Sequence, residues 1–292
     1  MSAYSIWVLE YSYVSNYHMS GIIYGAHNEG FRKLPYCYVL IKGKDTAAMV
    51  DVGYNNKDYG AAMATNFGVE NWHSAATVLA ECGVKPEQVS NVFITHAHFD
   101  HLGGTDDFPA ATFHIQEQEL TKWIWAMSLP KKFSWLMGAT DPGDILRAVD
   151  LARQGRLSVI DGDREDVMPG IDLHAALDSH TWGSMYVAVR NDGKSNSADT
   201  WVLAGDLIYC FENLRGRGTN AGSYLPVGLA VGSQTNLLLA THKMLGLVGH
   251  ETKRVIPIHE EGLKDIFPSR ITKQGLRITE LCLADGEPSR VH

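Results

Sequence analysis

An α/β fold is predicted by three observations: short β-branched and aromatic runs that read as strands, a helical run between two of them, and a return of the same rhythm downstream. The chain has 292 residues and 45% hydrophobic content, enough to bury a substantial core. No linker, short-period repeat or low-complexity segment divides it, so a single domain over residues 1–292 is expected.

The N-terminal run from Met1 to Glu10 reads as a first strand. It has no basic region and meets the acidic Glu10 early, so a secretion signal is not expected. Tyr38-Val39-Leu40-Ile41 and Ala47-Ala48-Met49-Val50-Asp51 flank the turn signal Lys42-Gly43-Lys44-Asp45 and predict a hairpin. Ser74 to Cys82 has helical composition and stops at Gly83. The buried strand Asn91-Val92-Phe93-Ile94-Thr95 follows, then Thr112-Phe113-His114-Ile115. Residues 117–154 read as mainly helical, broken at Pro130 and at Asp141-Pro142-Gly143, and carry Trp123, Trp125 and Trp135. That segment is expected to form a helical cap beside the site described next. Strands return at Leu157–Ile160, Ile171–Ala175, Ser184–Val189 and Thr200–Ala204, the last two joined by a surface hairpin loop over residues 191–196. The apolar stretch Leu225–Gly232 and a helix from Gln234 to Leu247 suit either core or a subunit interface, which leaves oligomeric state open.

Thr95-His96-Ala97-His98-Phe99-Asp100-His101 packs three imidazoles and a carboxylate directly after a strand, with Leu102-Gly103-Gly104 behind them. A polar, solvated loop rarely needs this density of donors, whereas borderline metals take a mix of imidazole and carboxylate. Four clustered residues do not close a site alone, so partners are expected at other strand ends. His180 lies in a polar turn, Asp206 follows the strand Trp201-Val202-Leu203-Ala204-Gly205, and His259 ends the run Val255-Ile256-Pro257-Ile258.

The formal net charge of −8, with no basic cluster, argues against a nucleic-acid partner. No apolar run approaches the ~20 residues of a membrane span. Four scattered cysteines suit a reducing, cytoplasmic setting.

H-x-H-x-D-H with the later His, Asp and His resembles the metallo-β-lactamase superfamily over about Val39 to His259. Val50-Asp51-Val52-Gly53 looks like that family's early D-x-G turn, whose aspartate supports the metal loop. The resemblance implies a four-layer αβ/βα sandwich with the centre at one edge of two packed sheets. It further implies that His96, His98 and His180 hold one divalent ion, that Asp100, His101 and His259 hold a second, and that Asp206 bridges them. Zinc is the first choice, with manganese, iron and cobalt as alternatives.

Asp206-Leu207-Ile208-Tyr209 looks like the D-x-x-Y arrangement of the N-acyl homoserine lactonases. It implies a lactone ring opened by a metal-bridging hydroxide, with Tyr209 meeting the carbonyl and Asp100 passing the proton on. Around His180 the chain departs from that pattern, with Ser179-His180-Thr181-Trp182-Gly183 in place of a proline-glycine turn. The tryptophans suggest an apolar or aromatic small-molecule substrate. The rivals are a glyoxalase II-like thioesterase, for which Arg215, Arg217, Lys243, Lys253 or Arg254 would supply a basic pocket, a cyclic-amide hydrolase, and a non-enzymatic metal-binding role.

Overall fold

A computed structural model describes residues 2–292. Its fourteen strands are β1 (Ser5–His18), β2 (Phe31–Lys42), β3 (Ala47–Val50), β4 (Val69–Glu70), β5 (Val89–Phe93), β6 (Thr112–Gln116), β7 (Leu157–Ile160), β8 (Arg164–Met168), β9 (Ile171–Ala175), β10 (Met185–Arg190), β11 (Thr200–Leu203), β12 (Val255–Ile256), β13 (Ser269–Ile271) and β14 (Arg277–Cys282). They form two sheets. The larger runs β13-β14-β1-β2-β3-β5-β6-β7, with β4 beside β1, and the smaller runs β12-β11-β10-β9-β8.

In β1, Ile6, Trp7, Val8 and Leu9 are all buried, so successive side chains on both faces are covered. One face meets the second sheet and the other meets helices, which gives the four layers of an αβ/βα sandwich. β2 and β3 form the expected antiparallel hairpin. From β3 onward the sheet is parallel through β5, β6 and β7, and each crossover carries helix. Ser74 caps the helix Ala75–Ala80 by accepting from the Thr77 amide.

Residues 117–154 form the β6-to-β7 crossover, with α-helices at Glu117–Met127 and Pro142–Arg153 and a 3₁₀ segment at Lys131–Met137 between them. The first helix buries Leu120, Trp123 and Ala126 against the core and leaves Ile124 and Trp125 exposed. The helix Gln234–Leu247 closes the β11-to-β12 crossover within the second sheet.

Strands β4, β8, β13 and β14 escape the sequence pattern. β8 reads Arg164-Glu165-Asp166-Val167-Met168 and lies at a sheet edge, where charge is tolerated because one side faces water. β13 and β14 return beside β1, so the residues after His259 complete the larger sheet. All four cysteines are free. No helix among the described residues is long and apolar enough to cross a membrane.

Candidate metal centre

The chain leaves β5 at Phe93 and turns through His96 and His98 into a short helix, Phe99–Leu102, that carries Asp100 and His101. Asp51, just past β3, holds this loop. Its Oδ1 accepts from the Thr95 amide at 2.7 Å, and its Oδ2 accepts from the Thr95 hydroxyl and meets His101 Nδ1, both at 2.8 Å. The carboxylate therefore fixes both the loop and one imidazole ring.

Gly103 and Gly104 have ordinary negative φ values, so they do not serve to bend the chain. They are needed for close approach: a Cβ at Gly104 would lie 2.2 Å from the Val52 carbonyl oxygen. Gly205 differs. Its φ is +53°, and a Cβ there would sit 2.7 Å from the Thr95 side chain, so the Asp206 turn is pressed against the histidine loop.

The seven residues picked out in the sequence converge. His96, His98, His180 and Asp206 offer ligand atoms within 4.8 Å of one another, and so do Asp100, His101 and His259. The two groups share Asp206. Its Oδ2 lies 3.6 Å from His96 Nε2 and 3.3 Å from His180 Nε2, while its Oδ1 lies 3.1 Å from His101 Nε2 and 3.0 Å from His259 Nε2. Asp100 Oδ2 completes the second group, 3.5 Å from His101 Nε2 and 3.9 Å from His259 Nε2. His180 stands in the turn between β9 and β10, whereas Asp206 and His259 lie just past the ends of β11 and β12.

The donors suit divalent cations. His96 Nε2 and His101 Nε2 are buried and have no hydrogen-bond partner among the described residues, although both touch Asp206. The opposite nitrogens are engaged: His96 Nδ1 with the Thr95 hydroxyl, His101 Nδ1 with Asp51, and His259 Nδ1 with the Pro35 carbonyl at 2.7 Å. The His96 and His101 rings, tethered on one nitrogen and without a hydrogen bond on the other, match the usual geometry of metal-ligating histidine, while His259 Nε2 meets Asp206 Oδ1 at 3.0 Å.

Burial, reinforced by His101, holds His96 well below its ordinary pKa, and burial with His180 lowers His98 to about 3. Burial also acts against charge on His101, yet Asp206, Asp100 and Asp51 outweigh it and hold this imidazole well above its usual range. His259 is raised too, because Asp206 overcomes its burial. Burial would raise Asp206, but His101, His259 and His96 keep it well below the usual carboxylate value.

The profile of the metallo-beta-lactamase superfamily matches residues 32–189, more than half of the chain. The chain belongs to the metallo-beta-lactamase superfamily. Two proteins named "Probable metallo-hydrolase", from Mycobacterium bovis and Mycobacterium tuberculosis, are each 30% identical to this superfamily member over 195 residues. The aligned region covers 62% of this chain and 59% of each relative, so the chain spans well under two thirds of their length. Among solved structures, a quorum-quenching N-acyl homoserine lactone lactonase superposes with a TM-score of 0.64 at 16% identity, covering 91% of this chain and 96% of its own. A dizinc quorum-quenching lactonase with bound product gives 0.63 at 17% identity, covering 94% of each chain. At such identities the likeness is one of fold.

Around the superfamily's metal loop, Tyr209 is buried with its ring 4.8 Å from that of His259 and 5.9 Å from that of His180, so it stands beside both donor groups. Burial and Asp206 hold its phenol well above the ordinary value. A cavity of about 210 Å³ opens on His98, lined by Tyr17, Phe67, Trp135, Leu136, Leu229 and Val231 among others. Of the tryptophans expected near the pocket, Trp135 lines it, whereas Trp123 and Trp182 pack edge to face at 4.7 Å and are not part of its lining. Tyr17 belongs both to this cavity and to a smaller one that reaches Asp100, Asp206, Tyr209 and His259. Sequence reasoning missed Tyr17 because it sits at the end of the long β1, where nothing local signals a pocket. His18 next to it turns aside to cap a helical turn through Ser20.

Proposed function

We propose that this protein is a metal-dependent hydrolase that opens a lactone ring bearing an apolar or aromatic substituent. The observation that carries the reading is Tyr209, a buried phenol set against both donor groups around a carboxylate that spans them. His96, His98 and His180 would hold one divalent ion and Asp100, His101 and His259 the other, with Asp206 between. Zinc fits these donors first, and manganese, iron or cobalt could replace it. When bound, the ions would supply Lewis acidity to the carbonyl and make a water acidic enough to attack at neutral pH.

The chain's own residues supply the rest. Tyr209, kept protonated by burial and Asp206, donates a hydrogen bond to the oxygen on which negative charge develops. Asp100 lies at the edge of the centre facing the smaller cavity, where it takes the proton from water and passes it to the ring oxygen as the ester C–O bond breaks. The product is the open hydroxy acid. The uncharged wall formed by Phe67, Trp135, Leu136, Leu229 and Val231 receives the substituent and excludes water from it.

A glutathione thioester would need cations near this mouth. Arg217 is paired with Glu29, Lys253 with Glu251 and Arg254 with Asp199, and Arg215 lies over the Phe211 ring. None of these lines the cavity. The deciding test offers zinc-loaded protein a panel of aliphatic and aromatic lactones, matched cyclic amides and glutathione thioesters. Lactones with apolar substituents should be turned over fastest; faster thioester hydrolysis, or none of any substrate at full metal loading, would overturn the assignment.

A further inference from the structure

Glu119 is fully buried and takes no part in the mechanism above. Its Oε1 accepts from the Ala97 amide and the Trp123 indole N–H, and its Oε2 accepts from the Thr181 hydroxyl and the Gly183 amide, each at 2.7 Å. Four donors and no acceptor surround it, a setting built for a group that only accepts. None of the ion pairs among the described residues involves it. An acidic side chain placed so deep without a cation is costly unless its hydrogen bonds are complete and positive charge lies near.

The donors are not scattered. Ala97 separates His96 from His98, Thr181 follows His180, and Gly183 lies in the same turn. At Gly183 a Cβ would fall 2.1 Å from the Glu119 amide nitrogen, so the turn carrying His180 rests directly on the backbone of the Glu117–Met127 helix. Trp123, one turn along that helix, places its ring 6.0 Å from that of His98. A single side chain thus ties the Ala97 amide, between His96 and His98, to the turn that carries His180, and none of its four bonds is to Asp100, His101 or His259.

We propose that Glu119 is the positioning residue of the three-histidine half of the centre, fixing its two loops in one register and lending it buried negative charge. The other half has Asp100 and Asp51 in contact with His101; the three-histidine half has only its share of Asp206, and Glu119 stands one layer behind to complete it. This rests on the reading that His96, His98 and His180 hold a cation.

The test is Glu119→Gln, which keeps shape but turns an NH₂ group toward one pair of the donors. Both zinc affinities are measured by competition with a chromophoric chelator, cobalt(II) absorption is recorded, and metal-free unfolding is followed in urea. His180→Ala and His259→Ala assign which ion occupies which half. Glu119→Gln should weaken the ion that His180→Ala removes by about 10–100-fold, the usual effect of losing a partner behind a ligand. The cobalt band of that ion should shift, while the ion removed by His259→Ala changes little. Equal weakening of both ions, or of neither, overturns the inference alone, as does lower metal-free stability without selectivity between the ions. A wild-type chain that binds no zinc overturns the two-ion reading as well. Should Glu119→Gln fail to fold, Trp123→Phe removes one of the four donors and keeps a ring; it should weaken the same ion by a smaller factor, and an unselective effect counts against the inference.

Discussion

The two halves of the centre meet at Asp206 but push the imidazoles of His96 and His98 in one direction and those of His101 and His259 in the other. On one side, burial drives His96 and His98 toward the neutral form that a metal takes directly. On the other, Asp206, with Asp100 and Asp51, overcomes burial and favours protonated His101, while Asp206 does the same for His259. The difference comes from donor composition: three histidines share one carboxylate oxygen on the first side, whereas two histidines face Asp100 and the other oxygen on the second. A cation entering the carboxylate-rich half competes with protons on His101 and His259, whereas His96 and His98 offer it neutral nitrogens.

The hardest blow to this comparison is Asp206→Asn, because it strikes both halves at once. Metal analysis should show loss of loading at both, with hydrolysis falling by more than the roughly 100-fold typical of a residue behind a ligand. A variant that keeps two ions and full activity would remove the bridge. Next, Tyr209→Phe should lower turnover by roughly 10²–10³-fold, the cost of losing an oxyanion donor. Metal content should not change, since the phenol is no ligand to either half; an unchanged rate would take Tyr209 out of the mechanism.

Acidification separates the halves. As pH falls through the raised pKa values of His101 and His259, protons compete for the carboxylate-rich half, while His98 resists protonation down to about 3. Zinc titrations at descending pH should therefore show the ion lost in His259→Ala released first, and the reverse order would break the comparison. Asp51→Asn should then weaken that same ion by about 10-fold or more, because His101 loses its anchor. The smallest effect is expected at Trp135→Ala, which touches neither half: KM for apolar lactones should rise several-fold with kcat nearly constant, the mark of uniform binding lost. A fall in kcat instead would place Trp135 closer to the reacting atoms than its position in the cavity wall indicates.

Much of this was legible before the fold. The four clustered ligands could be read because strand, loop and helix put them within one short stretch of chain, and the hairpin of β2 and β3 and the helix Gln234–Leu247 follow from local pattern. β8 was hidden by its charge, β4 and β13 by their shortness, and β14 by its mixed polar and apolar order. The wall residues Tyr17, Phe67 and Leu229 are far apart in sequence and carry no chemistry that would mark them individually.

The sequence by itself determined the ligand types and the α/β class, because imidazole and carboxylate chemistry and strand or helix periodicity are properties of neighbouring residues. Only the tertiary structure decided that one oxygen of Asp206 faces each group, that Tyr209 stands beside both, that Glu119 joins the Ala97 amide to the His180 turn, and that Asp51 holds Thr95 and His101. Those relations join residues at least 22 positions apart. They are set by how two sheets and the helix Glu117–Met127 pack, and the packing energy that sets them is spread over the whole core.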